Sequence, residues 1–510
     1  MPSLEEKEAE KQAAQLSKAL GVQLYPRSLT GVNGAILFLT RHKEHKRLGV
    51  IASPGNSTMA LFRGSEQAVE MDRQALTLKW CPTDHANADA LRQVLPFLRP
   101  RTLGLALSAG FGDRLGLATP GHVRAVRGTG IAPVFAQQSI REMTRTQRTP
   151  QQVMDDAMWG VFQEGWREGF GADADHLKIP ADVDACVAVG FTFYTIDPGD
   201  HVDNAAHTDP PDVLVQKVEG LPWDDLESSP QAMRRTYLDR SFALTDGSSL
   251  AFDEVSLLRA AAKYGKAIAH TTRMYRHLAT HMGDRPFELE VSVDETETPT
   301  THWEHLFIAN ELKRLDVHWV SLAPRYIGRF EKGVDYIGDL DAFEANLARH
   351  VAIMRTFGPY KLSIHSGSDK FSIYPVFARQ AGRLVHLKTA GTSYLEALRA
   401  VAGIDPGLFR EILAFAFERY DEDKATYHVS ADSGKVPQPD QLADDELASV
   451  LDLFDGRQLL HVTFGSVLTA KNEDGSYRFR SRLLAALQAD ERAHYAALEQ
   501  HFRRHLEPFT

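Results

Sequence analysis

Four short segments place ionisable side chains between apolar ones at every second position. In 287–294, Leu289, Val291 and Val293 alternate with Glu288, Glu290, Ser292 and Asp294. In 361–365, Leu362 and Ile364 alternate with Ser363 and His365. In 385–389, Val385 and Leu387 alternate with His386 and Lys388. In 175–179, Leu177 and Ile179 alternate with His176 and Lys178. Strict alternation is the strand signal, and it puts each polar set on one face. Carboxylate, imidazole and ammonium groups sharing a face can move protons, hold a metal or pair with one another. Buried charge is costly unless it is paired or metal-bound. The plainest alternative is one internal Glu290–Lys178 ion pair with hydrogen-bonded packing histidines. That explains any one residue more easily than the whole set.

The loops after such strands offer further groups. Residues 109–116 read AGFGDRLG, with Asp113 as a base and Arg114 as a carboxylate clamp, or else a glycine turn with a surface ion pair. Residues 197–203 bring three aspartates and His201 together, a set that suits a divalent metal or simply an Asp-Pro-Gly turn. Ser366-Gly367-Ser368 and Thr389-Ala390-Gly391-Thr392 each open a helix, where free backbone N–H groups attract anions. Ser393 and Glu396, like Thr301 and Glu304, have capping-box spacing. His302 and His305 read as surface or packing residues, and His270 as a reserve ligand.

Positioning these groups requires a scaffold of repeated strand–loop–helix units, which begins near residue 100. Candidate strands are 103–108, 132–136, 175–179, 191–196, 266–271, 287–293, 318–323, 361–365 and 385–389. A (β/α)8 barrel needs one fewer, and 132–136 is the weakest. A doubly wound sheet is the rival, but Gly128-Thr129-Gly130 lacks a strand-linked GxGxxG pattern. The expectation is a TIM-type α/β barrel over 99–403 with an insert near 203–263. An α+β region over 1–98 precedes it, with strands at 22–25, 35–40, 48–52 and 59–63, and a mostly helical extension over 404–510 follows. The chain is ordinary in composition, with a net charge of −11 that argues against general nucleic-acid binding. It has no run of about 18 apolar residues to span a membrane. The acidic start does not read as a signal peptide, and the two cysteines form no framework, so a cytoplasmic setting is expected. No GxSxG, HExxH, Walker A or paired CxxC motif occurs.

Five stretches taken together resemble the tagaturonate/fructuronate epimerase family: GFGDRLGLATPGH (110–122), VSVDETETPT (291–300), SLAPRYIGRFEKGVDYIGDL (321–340), SIHSGSDKFSIYP (363–375) and HLKTAGTSYLEALR (386–399). The resemblance implies a metal-dependent barrel epimerase of hexuronate catabolism that interconverts two sugar acids differing at C4. C4 lies β to the C2 ketone, so enolisation alone does not labilise its hydrogen. Retro-aldol cleavage of C3–C4, rotation of the aldehyde and re-addition would invert it. A divalent cation (zinc, manganese or nickel) on the C2 and C3 oxygens would stabilise the enediolate. Transient oxidation at C4 is the other route and needs a nicotinamide site.

By position, His201, His365 and His386 are expected as metal ligands, with Glu290 or Asp294 as a fourth. Asp113 is expected as the proton acceptor and Glu290 as the acid, tuned by Lys178. Arg114, Lys388, Ser366, Thr389, Gly391 and Thr392 would hold the substrate carboxylate. The rivals are a metal-dependent aldolase or ketose isomerase on the same barrel, and a non-catalytic sugar-acid binding protein.

Overall fold

The computed structural model describes residues 4–42, 45–71, 73–365, 369–389 and 391–510. Eight parallel strands close a barrel: β1 Ser108–Gly112, β2 Ala132–Ser139, β3 Gly171–Leu177, β4 Phe193–Ile196, β5 Glu288–Ser292, β6 Ser321–Ala323, β7 Lys361–Ile364 and β8 Val385–Lys388. Each strand pairs with the next in sequence, and β8 closes on β1 through His386 opposite Ser108. Leu289, Val291, Leu362, Ile364, Val385 and Leu387 face outward into the surrounding core. Each such side chain contributes about 1.5–3 kcal/mol when fully buried. The opposite faces of β5, β7 and β8 carry the polar sets inward.

Three candidate strands differ. Segment 103–108 turns before it reaches the sheet, with Leu105 half-exposed, and β1 starts only at Ser108. The weakest candidate is a full strand, β2. Segment 266–271 lies inside the helix Glu254–Met282, which Asp253 caps by accepting from Ser256 N. Its Lys-Ala-Ile-Ala-His run alternates locally, yet the burial of Leu257, Leu258, Ala261, Tyr264 and Ile268 follows the helical period.

Before the barrel, the helix Leu4–Leu20 accompanies a six-stranded antiparallel sheet. In place of the expected strand at 59–63 there is a short helix, Ser57–Ala60, whose cap Asn56 accepts from Met59 N. The strands Ser65–Met71 and Gln74–Pro82 pair antiparallel. After the barrel, the helix Glu491–Leu506 packs against the barrel helices Thr119–Val126 and Thr392–Ile404. Gly121 permits the approach, because a Cβ there would sit 2.6 Å from Leu498. Asp405 caps the helix Pro406–Asp423 as its sequence indicates. Among the described residues, no helix is long and apolar enough to cross a membrane.

Candidate active site

The barrel interior is layered. At the bottom, Glu288 accepts from the backbone N–H groups of Leu103 and Gly104, closing that end. Just above, Ser108 Oγ lies 2.9 Å from His386 Nδ1 and accepts from Lys361 Nζ at 3.0 Å. Phe193 packs 5.2 Å from the His386 ring. Burial drives the His386 imidazole well below its ordinary pKa, so it is neutral. His386 is therefore a floor residue, one layer beneath the position a mouth ligand needs.

The next layer is centred on Lys388. Its ammonium lies 2.9 Å from Asp173, 2.7 Å from Asp175 and 2.8 Å from Glu290, and donates to Thr195 Oγ1 at 2.6 Å. These carboxylates outweigh burial and hold Lys388 charged. Three carboxylates around one ammonium leave no hydrogen for a substrate, so Lys388 is not the expected carboxylate grip. Burial pushes Asp173 up to about 7, whereas Lys388 and the neighbouring histidines hold Asp175 and Glu290 well below the carboxylate range against their burial. Glu290 is thus an ionised carboxylate, not the expected acid.

At the mouth, His365 Nε2 lies 2.5 Å from Glu290 Oε1, and its Nδ1 is 3.3 Å from Asp294 and 3.2 Å from Ser292 Oγ. His176 stands 5.2 Å away, ring to ring. β3 gains one residue against β4 between Ala174 and Leu177, and His176 takes φ +54 there. Such a bulge re-aims a side chain. It brings Asp175 and His176 to the mouth together, while Asp173 stays inward. Ligand atoms of Asp175, His176 and His365 all lie within 4.8 Å of one another. His176 Nδ1 faces Asp197 Oδ2 at 3.3 Å, which fixes the ring. Burial alone would lower both imidazoles, but Asp175 and Asp197 lift His176 to about 10, and Glu290 and Asp294 lift His365 to about 9 against Lys388.

Several expected site residues are placed elsewhere. His201 stacks on His270 at 4.1 Å, against the long helix, and does not join His365. Lys178 points outward to Asp200 at 2.8 Å, because the β3 bulge shifts its parity. Asp113 accepts from the backbone N–H groups of Leu115, Gly116 and Ala118, so its carboxylate builds the loop and is not free to act as a base. Thr389 Oγ1 donates to Gly110 O at 2.7 Å. Gly391 has φ +89, and a Cβ there would lie 2.6 Å from Arg114 Nη2. Arg114 and His461 therefore fill the helix start where an anion was expected, with Thr392 buried beneath. Ser393 donates to Gly112 O instead of forming a capping box with Glu396. Ser366 lies outside the described residues, as do Gly367, Ser368 and Ala390. His305 is a packing residue, bonded to His350 and Tyr360.

Arg114 does reach the site. It donates to Glu142 Oε1 through Nε at 2.9 Å and Nη2 at 2.7 Å, and stacks on Phe464. Its buried Nη1 has no hydrogen-bond partner among the described residues. A small inner cavity of about 40 Å³ is bounded by Arg114, Asp175, His176, His365, Lys388 and His461. An outer cavity of about 260 Å³ adjoins it, sharing His365, Arg141, Lys332 and Tyr427 in its wall. Tyr427, His428 and His461 come from the C-terminal extension, which therefore roofs the mouth. Sequence reading missed Asp173, Asp175, Glu142, Arg325 and these roof residues. The Asp-Ala-Asp alternation in 173–175 signalled the two aspartates, and Arg325, in the wall of the outer cavity, lies in the stretch 321–340 that carries the family resemblance.

A closed parallel barrel with acid, imidazole and ammonium groups at its C-terminal mouth defines an enzyme of the barrel class. The family model for tagaturonate epimerase (UxaE) matches residues 25–509, and the chain belongs to that family. It is 42% identical over 487 residues to the tagaturonate/fructuronate epimerase of Thermotoga maritima, covering 96% of this chain and 97% of that protein. The native crystal structure of the fructuronate-tagaturonate epimerase UxaE from Cohnella laeviribosi superposes with a TM-score of 0.90 at 39% identity, covering 98% of this chain and 99% of that one. The same protein complexed with glycerol matches equally. Enzymes so named are isomerases.

Proposed function

We propose that this chain interconverts D-tagaturonate and D-fructuronate by inversion at C4, with a divalent cation held by Asp175, His176 and His365. The observation that carries this is the convergence of one carboxylate and two imidazoles at the mouth, opening into a cavity large enough for a sugar acid. The donor set fits zinc, manganese or nickel, because imidazole with carboxylate suits these ions. It replaces the trio of His201, His365 and His386. When bound there, the cation supplies Lewis-acid stabilisation of negative charge on the substrate oxygens.

The chain's own groups do the rest. Glu290 would orient His365 at one ring nitrogen, leaving the other for the cation, and Asp197 would orient His176 through Nδ1. Asp294 borders the outer cavity beside His365, where its carboxylate is placed to accept the C4-hydroxyl proton and return it after re-addition. Arg114 offers its spare N–H to a substrate oxygen in the inner cavity. Tyr427 and His461 keep water from the cleaved fragments while the aldehyde turns. Following D-tagaturonate by NMR tests the reaction: conversion to the C4 epimer supports it, and accumulation of three-carbon fragments would instead favour an aldolase.

Metal binding in this site must displace protons from His176 and His365, whose pKa values stand at about 10 and about 9. The apparent affinity should therefore rise with pH below about 9, by up to about two decades per pH unit. Calorimetry in buffers of differing ionisation enthalpy reads the released protons directly. No proton release would remove the two histidines from the ligand set.

A further inference from the structure

We propose that Arg325 receives the substrate carboxylate and makes this site selective for sugar acids over neutral ketoses; this deepens the epimerase reading and rests on it. Arg325 follows β6 at the barrel mouth and lines the outer cavity. Its backbone is pinned from both sides by Thr300, whose N–H donates to Arg325 O at 2.8 Å and whose Oγ1 accepts from Arg325 N at 3.0 Å. The side chain donates from Nη1 to Tyr326 O at 3.2 Å. Among the described residues, no carboxylate lies within ion-pairing distance of it.

Its cationic neighbours in that wall differ. Arg141 lies on Glu295 at 2.8 Å, Lys332 on the same carboxylate at 3.7 Å, and Arg329 on Glu331 at 3.5 Å. Burial holds the Arg325 guanidinium below its ordinary pKa, with Asp294 the main opposing charge. A half-buried, under-compensated planar cation suits a planar anion that it can grip through two N–H groups.

The placement also fits the substrate's length. With the keto end in the inner cavity beside His176 and His365, a hexuronate carries its carboxylate at the far end of the chain, in the outer cavity. A neutral ketohexose has a hydroxymethyl group there and leaves the guanidinium unpaired. Arg114 then serves the keto end and Arg325 the acid end.

The test is calorimetric titration of the metal-loaded wild type, R325M and R325K with D-tagaturonate and with D-tagatose, its neutral counterpart. R325M should bind D-tagaturonate about 100-fold more weakly, as loss of a charge-assisted pair does, with D-tagatose affinity changed less than about threefold. R325K should fall between, because an ammonium keeps the charge and loses the fork. Melting temperatures confirm that the variants are folded. Equal weakening for both sugars, or an unchanged affinity ratio in R325M, would overturn the assignment, as would a wild type that does not prefer the acid. Affinity is read for the equilibrated sugar acid and epimerisation is followed separately by NMR, so a wild type that binds D-tagaturonate tightly without epimerising it, with R325M weakened for the acid alone, would sink the epimerase reading and leave Arg325 confirmed as an anion site.

Discussion

Replacing His365 by alanine is expected to remove the bound metal and lower kcat/KM by at least about 1,000-fold. A metal acting as a Lewis acid supplies several kcal/mol of charge stabilisation, and about 1.4 kcal/mol is tenfold in rate. The substitution also takes the imidazole from between Glu290 and Asp294, which lie 2.5 and 3.3 Å from its nitrogens. His176→Ala should behave alike, since His176 shares the cluster with Asp175 and His365. His201→Ala should leave metal content at the wild-type level, because His201 stacks on His270 away from the mouth. Elemental analysis of the three variants reads this. Full metal occupancy in folded His365→Ala would remove it from the ligand set.

Lys388→Met is expected to cost about 3–5 kcal/mol of stability at pH 8, the scale for removing one partner of a buried ion pair. The ammonium is 3% exposed and lies within 3 Å of three buried carboxylates, whose charges would then face one another unscreened. The loss should shrink at lower pH. Without Lys388 the folded carboxylates have raised pKa values, so the native state binds protons more readily than the unfolded one and gains stability as pH falls. In the wild type, Lys388 itself is raised above its unfolded value, so its contribution is complete at neutral pH and is lost only at strongly alkaline pH. Denaturation curves at pH 5 and pH 8 measure the difference. A variant as stable as wild type at pH 8 would contradict the charge layer.

Strands β5, β7 and β8 were legible because long branched residues mark their outward faces, which fixes Glu290, Asp294, His365, His386 and Lys388 as inward. β3 was not, because its outward residues are Ala172 and Ala174 and its end is bulged. The parity read from Leu177 and Ile179 therefore turned Lys178 inward, whereas Ile179 is exposed and Lys178 pairs with Asp200. Depth was hidden as well. Alternation says that His386 and Lys388 share a face but not that one lies on the floor and the other in a carboxylate knot. Asp113 shows a different limit, since a carboxylate after a strand looks the same whether it meets substrate or its own loop. The roof of Tyr427, His428 and His461 depends on chain packing across long sequence separations, which no local pattern reports.

We propose a metal-assisted C4 epimerisation at Asp175, His176 and His365. Its most direct test follows D-tagaturonate by NMR with enzyme before chelation, after exhaustive chelation, and after return of one equivalent of zinc, manganese or nickel. D-Fructuronate should form at the start, turnover should be lost in metal-free and still folded protein, and it should recover with the returned ion. Undiminished epimerisation by protein shown to be metal-free would contradict it.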